Sequence, residues 1–114
     1  MKQSIPVLTL TQALTATVAA HRFTTVAGIQ TGADLNALGV SRTGGASGEK
    51  VPVYVLGTTI IEAGAAIAAG ATLKSDATGR GITWVTSGAR VGIALEAAAG
   101  AGELIEVQLI PNAA

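Results

Sequence analysis

Seven segments of this chain alternate apolar and polar residues with a period of two, and clusters of Gly, Asp or Ser separate them. The first two are Val7-Leu8-Thr9-Leu10-Thr11 and His21-Arg22-Phe23-Thr24-Thr25-Val26. Val51-Pro52-Val53-Tyr54-Val55-Leu56 comes next and runs on to Thr58-Thr59-Ile60-Ile61. Ala71-Thr72-Leu73-Lys74, Ile82-Thr83-Trp84-Val85-Thr86, Val91-Gly92-Ile93-Ala94-Leu95 and Leu104-Ile105-Glu106-Val107-Gln108-Leu109-Ile110 complete the set. A period of two puts successive side chains on opposite faces, which is the geometry of a strand. Val, Ile and Thr suit a pleated, half-buried surface. The pattern predicts an all-β fold, a small β-barrel or β-sandwich of short strands with Ala/Gly-rich turns. With 114 residues, the chain is expected to form a single domain over 1–114, with 1–11 as an N-terminal strand or arm.

The Ala-rich runs are the main challenge to that reading. Alanine is the best helix former, and 23 of the 114 residues are Ala. Yet Gly64 and Gly70 bracket only five residues, and Glu96 to Gly102 is broken in the same way. Segments this short do not hold a helix on their own. They are expected to be compact turns of at most one helical turn each. Asp34-Leu35-Asn36-Ala37-Leu38 is a candidate for one more such turn, capped by Asp34. Asp76-Ala77-Thr78-Gly79-Arg80-Gly81 has the composition of a hairpin turn between the strands on either side. Pro52 cannot donate to a ladder and suggests an edge or a bulge.

The chain also repeats itself. Gly39-Val40-Ser41 precedes a small-residue loop and then Gly48-Glu49 and a strand with apolar residues at 51, 53 and 55. Gly92-Ile93-Ala94 precedes another such loop and then Gly102-Glu103 and a strand with apolar residues at 105, 107 and 109. Both read as a unit of strand, small-residue loop, Gly-Glu and strand. Each apolar trio would face one core.

Little of the sequence speaks for chemistry. Seven Lys plus Arg balance seven Asp plus Glu. A neutral chain lacks the cations that supply most nucleic-acid affinity, so no nucleic-acid partner is expected. There is no Cys, so thiolate metal sites and Cys nucleophiles are excluded. His21 is the only His and the only candidate general base, without a Gly-x-Ser-x-Gly elbow to serve. It reads as a strand residue, half exposed or hydrogen-bonded. The acids lack calcium-loop spacing and sit where turns and rims are expected. Thr43-Gly44-Gly45-Ala46-Ser47-Gly48 has no Gly-Lys-Ser/Thr ending and reads as a flexible connection rather than a phosphate cradle. Lys74 would suit a lipoyl-type carrier if it stood at a hairpin tip, but it lacks the flanking residues of those sites. No cofactor and no metal are expected. Gln3 to His21 carry no formal charge, yet Thr and Gln interrupt the apolar residues throughout. This is unlike the core of a signal peptide or a membrane span, so the expectation is an intracellular product with no membrane partner. A surface so poor in charge is sticky, which implies a covering partner.

Several stretches together resemble a known family. They are Ala20-His21-Arg22-Phe23, Gly39-Val40-Ser41, Val55-Leu56-Gly57-Thr58, Glu62 to Gly70, Lys74-Ser75-Asp76-Ala77-Thr78-Gly79-Arg80 and Gly92 to Glu103, in that order. The chain is similar over nearly its whole length to the tailed-bacteriophage capsid cement, or head decoration, proteins. The last two stretches are the most specific. The resemblance implies a non-enzymatic, β-rich protein made in the bacterial cytoplasm that coats the outer surface of a phage head. Its partners would be the major capsid protein and further copies of itself, as a homotrimer. Another virion role, as a head fibre base or tail tube component, is the alternative. Ser4 to Thr11 is uncharged and apolar-alternating, and is the first candidate for a docking arm. Ile5, Val7, Leu8 and Leu10 are its candidate interface residues. Trp84 is a further candidate, since a lone Trp either fills the core or anchors an interface.

Overall fold

In the computed structural model, which describes residues 3–110, eight antiparallel strands and no helix make up the regular structure. They are β1 (Ile5–Ala13), β2 (Phe23–Thr24), β3 (Gly39–Ser41), β4 (Lys50–Glu62), β5 (Thr72–Ser75), β6 (Gly81–Thr83), β7 (Gly92–Ala94) and β8 (Leu104–Leu109). The sheet runs β2-β3-β4-β8-β7-β5-β6, and β1 joins the remaining edge of β4. Its two ends come together, so the sheet curls into a nearly closed barrel. Phe23 N donates to Gly79 O at 2.8 Å, Glu62 N donates to His21 O at 3.0 Å, and Ala63 bridges Gly81. Closure covers the ends of the sheet path, which a small sheet would otherwise expose, and leaves β1 outside it.

The apolar faces found by period two meet inside this barrel. Phe23, Val40, Ile61, Leu73, Ile105 and Val107 are all fully buried in one cluster. Leu14, Val18, Val51 and Val53 form a second, adjoining one end of β1 and β4.

The repeat proves wider than the Gly-Glu units alone. Val18 and Gly45 exchange two backbone hydrogen bonds, and so do Ile67 and Ala98. Leu14 N donates to Glu49 O and Ala63 N to Glu103 O, both at 2.8 Å. Phe23 pairs with Val40 as Thr72 pairs with Ile93. Gln12 pairs with Val51 as Ile61 pairs with Ile105. The barrel therefore consists of two equivalent halves that share β4, whose first part ends one half and whose second part begins the other. Gly48 and Gly102 occupy matching turns with φ of 90° and 91°. Side chains other than Gly are strained in that region, which explains why Gly precedes Glu in both copies. Each following Glu carboxylate accepts from a backbone N–H of its own loop, Glu49 from Ala46 and Glu103 from Ala99.

Several expectations need correction. The segment 34–38 is not helical. Asp34 has φ of 64°, its N–H goes to Ser75 O at 3.2 Å, and its carboxylate pairs with Lys74 at 2.8 Å, so tertiary contacts replace a capped turn. Pro52 lies on neither an edge strand nor a bulge. β4 is flanked by β1 and β3, and the Pro52 carbonyl accepts from Arg42 N at 3.1 Å just past the end of β3, where no donor is required of it. Thr43–Gly48 is pinned by the Val18–Gly45 pair rather than loose. The strands around residues 21–26 and 82–86 shorten to two and three residues, because curvature and closure leave little room for straight ladders.

The predicted hairpin at Asp76–Gly81 does join β5 to β6. Asp76 Oδ1 accepts from the backbone N–H of Thr78 and Arg80, both at 2.9 Å, and Oδ2 from Arg80 Nε at 3.1 Å. Arg80 and Arg22 also meet Glu62, at 3.7 and 3.1 Å, so ion pairs clasp the barrel seam. Burial opposes ionisation of Asp76, but the hydrogen bonds from Thr78 and Arg80 outweigh it and hold its carboxyl below the ordinary value of 3.8. A lowered folded value means the stabilisation is complete above that ordinary range and drains away as pH falls through the folded one. Asp76→Asn is therefore expected to cost about 1 kcal/mol at pH 7. The gap from the parent protein should close on acidification below about pH 4. Urea denaturation at several pH values reads both effects, and a gap that widened in acid would contradict the assignment.

Candidate functional site

β1 stands apart from the rest of the sheet in its exposure. Its residues from Ile5 to Thr11 are all exposed, on both faces of the strand. Val7 is 77% exposed and Ile5 56%, while Leu8 and Leu10 are 42% and 40% exposed. Among the described residues the strand holds on by one edge. Its ladder partner there is β4, from Ile5–Thr58 to Ala13–Lys50, and its other edge pairs with no described strand. Gln12 and Leu14 anchor its far end. The Gln12 amide donates to Thr25 O at 2.7 Å, and Leu14 is buried in the second core cluster.

Register shifts break the β1–β4 ladder around Val7 and Leu8, with Val55 skipped on β4. Gly57 follows with φ of 103°, and a Cβ there would run into the carbonyl of Ile5. The bulge and the glycine bend the pair so that β1 crosses from one half of the barrel to the other. There Ser4 Oγ donates to Thr59 Oγ1 at 3.1 Å and Gln3 N donates to Glu106 Oε1 at 3.0 Å.

A long, uncharged, apolar strand edge is a template for another chain, and proteins usually blunt such edges with charge or cover. Here only Pro6 interrupts it. Across β4 from it lies an apolar cavity of about 410 Å³, lined by residues that include Val26, Leu38, Val55, Leu56 and Ile110. Leu56 is also the ladder partner of Leu8, but β4 stands between the cavity and the free edge of β1. The chemistry of β1 is contact: apolar area and free backbone groups, without a nucleophile.

The candidate interface residues divide between two places. Ile5, Val7, Leu8 and Leu10 come together on β1, whereas Trp84 sits in the loop after β6. Trp84 is half-buried and belongs to neither core cluster. Its Nε1 donates to Gly88 O at 2.9 Å and the Arg90 guanidinium lies 4.1 Å from the ring centroid. Val26, Leu38 and Ile110 were not singled out by sequence, because a groove between a loop and two strand ends has no periodic signature.

The carrier reading of Lys74 stays set aside, and the readings of Glu106 and His21 are corrected. Lys74 is inside β5, opposite Ile82, and ion-paired with Asp34, so it is no carrier-domain tip. Glu106 is not on a rim but buried in β8 at 3% exposure, its carboxylate receiving the N-terminal segment. His21 precedes β2 rather than lying in it, with φ of 63°. Among the described residues no cluster of three His, Asp or Glu could hold a metal ion.

A family model described as phage cement protein matches residues 1–109. Among solved structures, the fold is similar to the head fiber gp8.5 N base of bacteriophage phi29, with a TM-score of 0.72 at 18% identity. That similarity covers 90% of this chain and 93% of the other. No curated protein matches the chain.

Proposed function

Because this chain belongs to the phage cement protein family, we propose that it is a non-enzymatic decoration protein that binds the outer surface of a phage head and ties major capsid subunits together. The family implies a virion component associated with the capsid. The observation that carries the finer reading is β1, an apolar, uncharged strand with a free edge. Docked on a capsid subunit, it would add backbone hydrogen bonds by strand addition, while Ile5, Val7, Leu8 and Leu10 supplied buried area. A standard interface buries about 800 Å² per partner, and the protein exposes 5247 Å² in all. There is room for a capsid contact and for self-association into a homotrimer.

Cementing needs no chemistry. A protein that binds the assembled lattice and not its separate subunits stabilises the lattice by mass action. The test uses heads that lack the protein. Added back in pure form, it is expected to bind them at saturable copy number and to raise their resistance to heat and low salt. Absence of binding, or binding without any gain in resistance, would reject the proposal. A head fibre base is the second reading, favoured by the fold shared with the phi29 fibre base. Electron microscopy of decorated heads separates the two, since a base carries a projecting fibre and a cement does not.

A further inference from the structure

His21 departs from the repeat in a way the fold does not ask for. Its N–H donates to Ser41 O at 2.9 Å, as its counterpart Gly70 donates to Ala94 O at 2.7 Å. Both have left-handed backbones, with φ of 63° and 86°. Glycine takes that conformation freely, whereas any side chain there is uncommon and costs some free energy, His less than most. One half of the barrel uses glycine and the other tolerates strain for a side chain, and strain of this kind gathers at functional sites.

The His21 side chain lines a polar cavity of about 210 Å³ together with Ser4, Arg42, Thr59 and Ile60. Its Nδ1 is buried and has no hydrogen-bond partner among the described residues. The Thr59 hydroxyl accepts from Ser4 Oγ, which leaves its own hydrogen for another acceptor. Arg42 makes no ion pair among the described residues. The lining thus offers an imidazole, a guanidinium and a hydroxyl, and contains no carboxylate. The acids on the neighbouring strands are engaged elsewhere. Glu62 meets Arg22 and Arg80, and Glu106 accepts from Gln3 N. A donor-rich cavity with an unmet buried nitrogen favours an oxygen anion, to which charge-assisted hydrogen bonds are the strong ones.

We infer that His21, Arg42 and Thr59 form a binding site for a single oxyanion, at the foot of the N-terminal strand. The anion can be a free phosphate-type ion or a carboxylate side chain of the docked partner. Only the second source rests on the head-binding reading above.

The protein has one histidine, so its imidazole resonances are unambiguous. Titration of the isolated protein with sodium acetate or inorganic phosphate, at constant ionic strength, is expected to shift them saturably. Arg42→Gln should weaken that response at least tenfold. His21→Gly should melt no lower than the parent, because its repeat counterpart is already glycine. It should also lose the anion response, followed at the Thr59 amide. Two results would overturn the site: imidazole signals that do not move with either anion, or a His21→Gly protein that melts below the parent, which would make His21 a packing residue. Binding of the His21→Gly and Arg42→Gln proteins to heads then identifies the source. Weakened binding marks a partner carboxylate, and unchanged binding marks a free ion.

Discussion

Deleting residues 1–10 is expected to abolish binding to heads while leaving the barrel folded. The segment holds Ile5, Val7, Leu8 and Leu10, all exposed, and the free edge of β1. Fully burying one such side chain is worth about 1.5–3 kcal/mol. Losing two of the four contacts would already cost about 3 kcal/mol, which is more than a hundredfold in affinity. The core loses little, because Gln12 and Leu14, which anchor the strand, remain. What goes is the Ser4–Thr59 hydrogen bond, the Gln3–Glu106 bond and part of the β1–β4 ladder. Water replaces most of these, so the expected loss of stability is about 1–2 kcal/mol. Far-UV circular dichroism and a cooperative thermal transition check the fold, and sedimentation with heads checks binding. An unfolded truncation would make β1 a core strand. Undiminished binding would move the docking surface elsewhere. Val7→Lys is the gentler companion, since it places one charge on the most exposed of the strand's four apolar candidates and should weaken binding with no effect on folding.

Phe23→Ala should produce the largest loss of stability of any single truncation in the barrel. Phe23 is the only Phe, is fully buried and heads the largest cluster of the core. Its backbone also closes the barrel, giving its N–H to Gly79 O and accepting from Thr31 N at 2.9 Å. Removing a buried Phe side chain costs about 3–5 kcal/mol, part of it for the cavity left behind. Collapse into that space is resisted by strands already fixed at both seams. A small domain has about 5–15 kcal/mol in total, so the variant is expected to be marginal at 37 °C. Urea denaturation measures it. A loss below about 1.5 kcal/mol would show that the neighbours repack and that Phe23 is no keystone.

Local signals carried the reading of strands and turns. The turn at Asp76–Gly81 is legible because an Asp side chain can take the N–H groups of residues two and four ahead, and a Gly there can adopt positive φ. The Gly-Glu units are legible for the same reason. His21 is illegible: His tolerates the left-handed region better than most side chains, but few His residues adopt it, and nothing in Ala20-His21-Arg22-Phe23 announces one. Glu106 misleads in the same way. Its charge suggests a rim, yet it is buried in β8 and accepts from the backbone of residue 3, from the other end of the chain. The apolar strand β1 is legible as a strand but not as an exposed one, because period two says that two faces exist and not what covers them.

Sequence by itself therefore determined the all-β class, the turn chemistry and the existence of a repeated unit. These rest on side-chain period and on φ preferences within a few residues. Tertiary structure alone decided that the two halves share β4, that Phe23 meets Gly79 to close the barrel, and that β1 keeps one edge free. Each of these joins residues far apart along the chain, and backbone hydrogen bonds carry no residue code for their partner. Which edges meet is settled only when all the strands compete for the same small core.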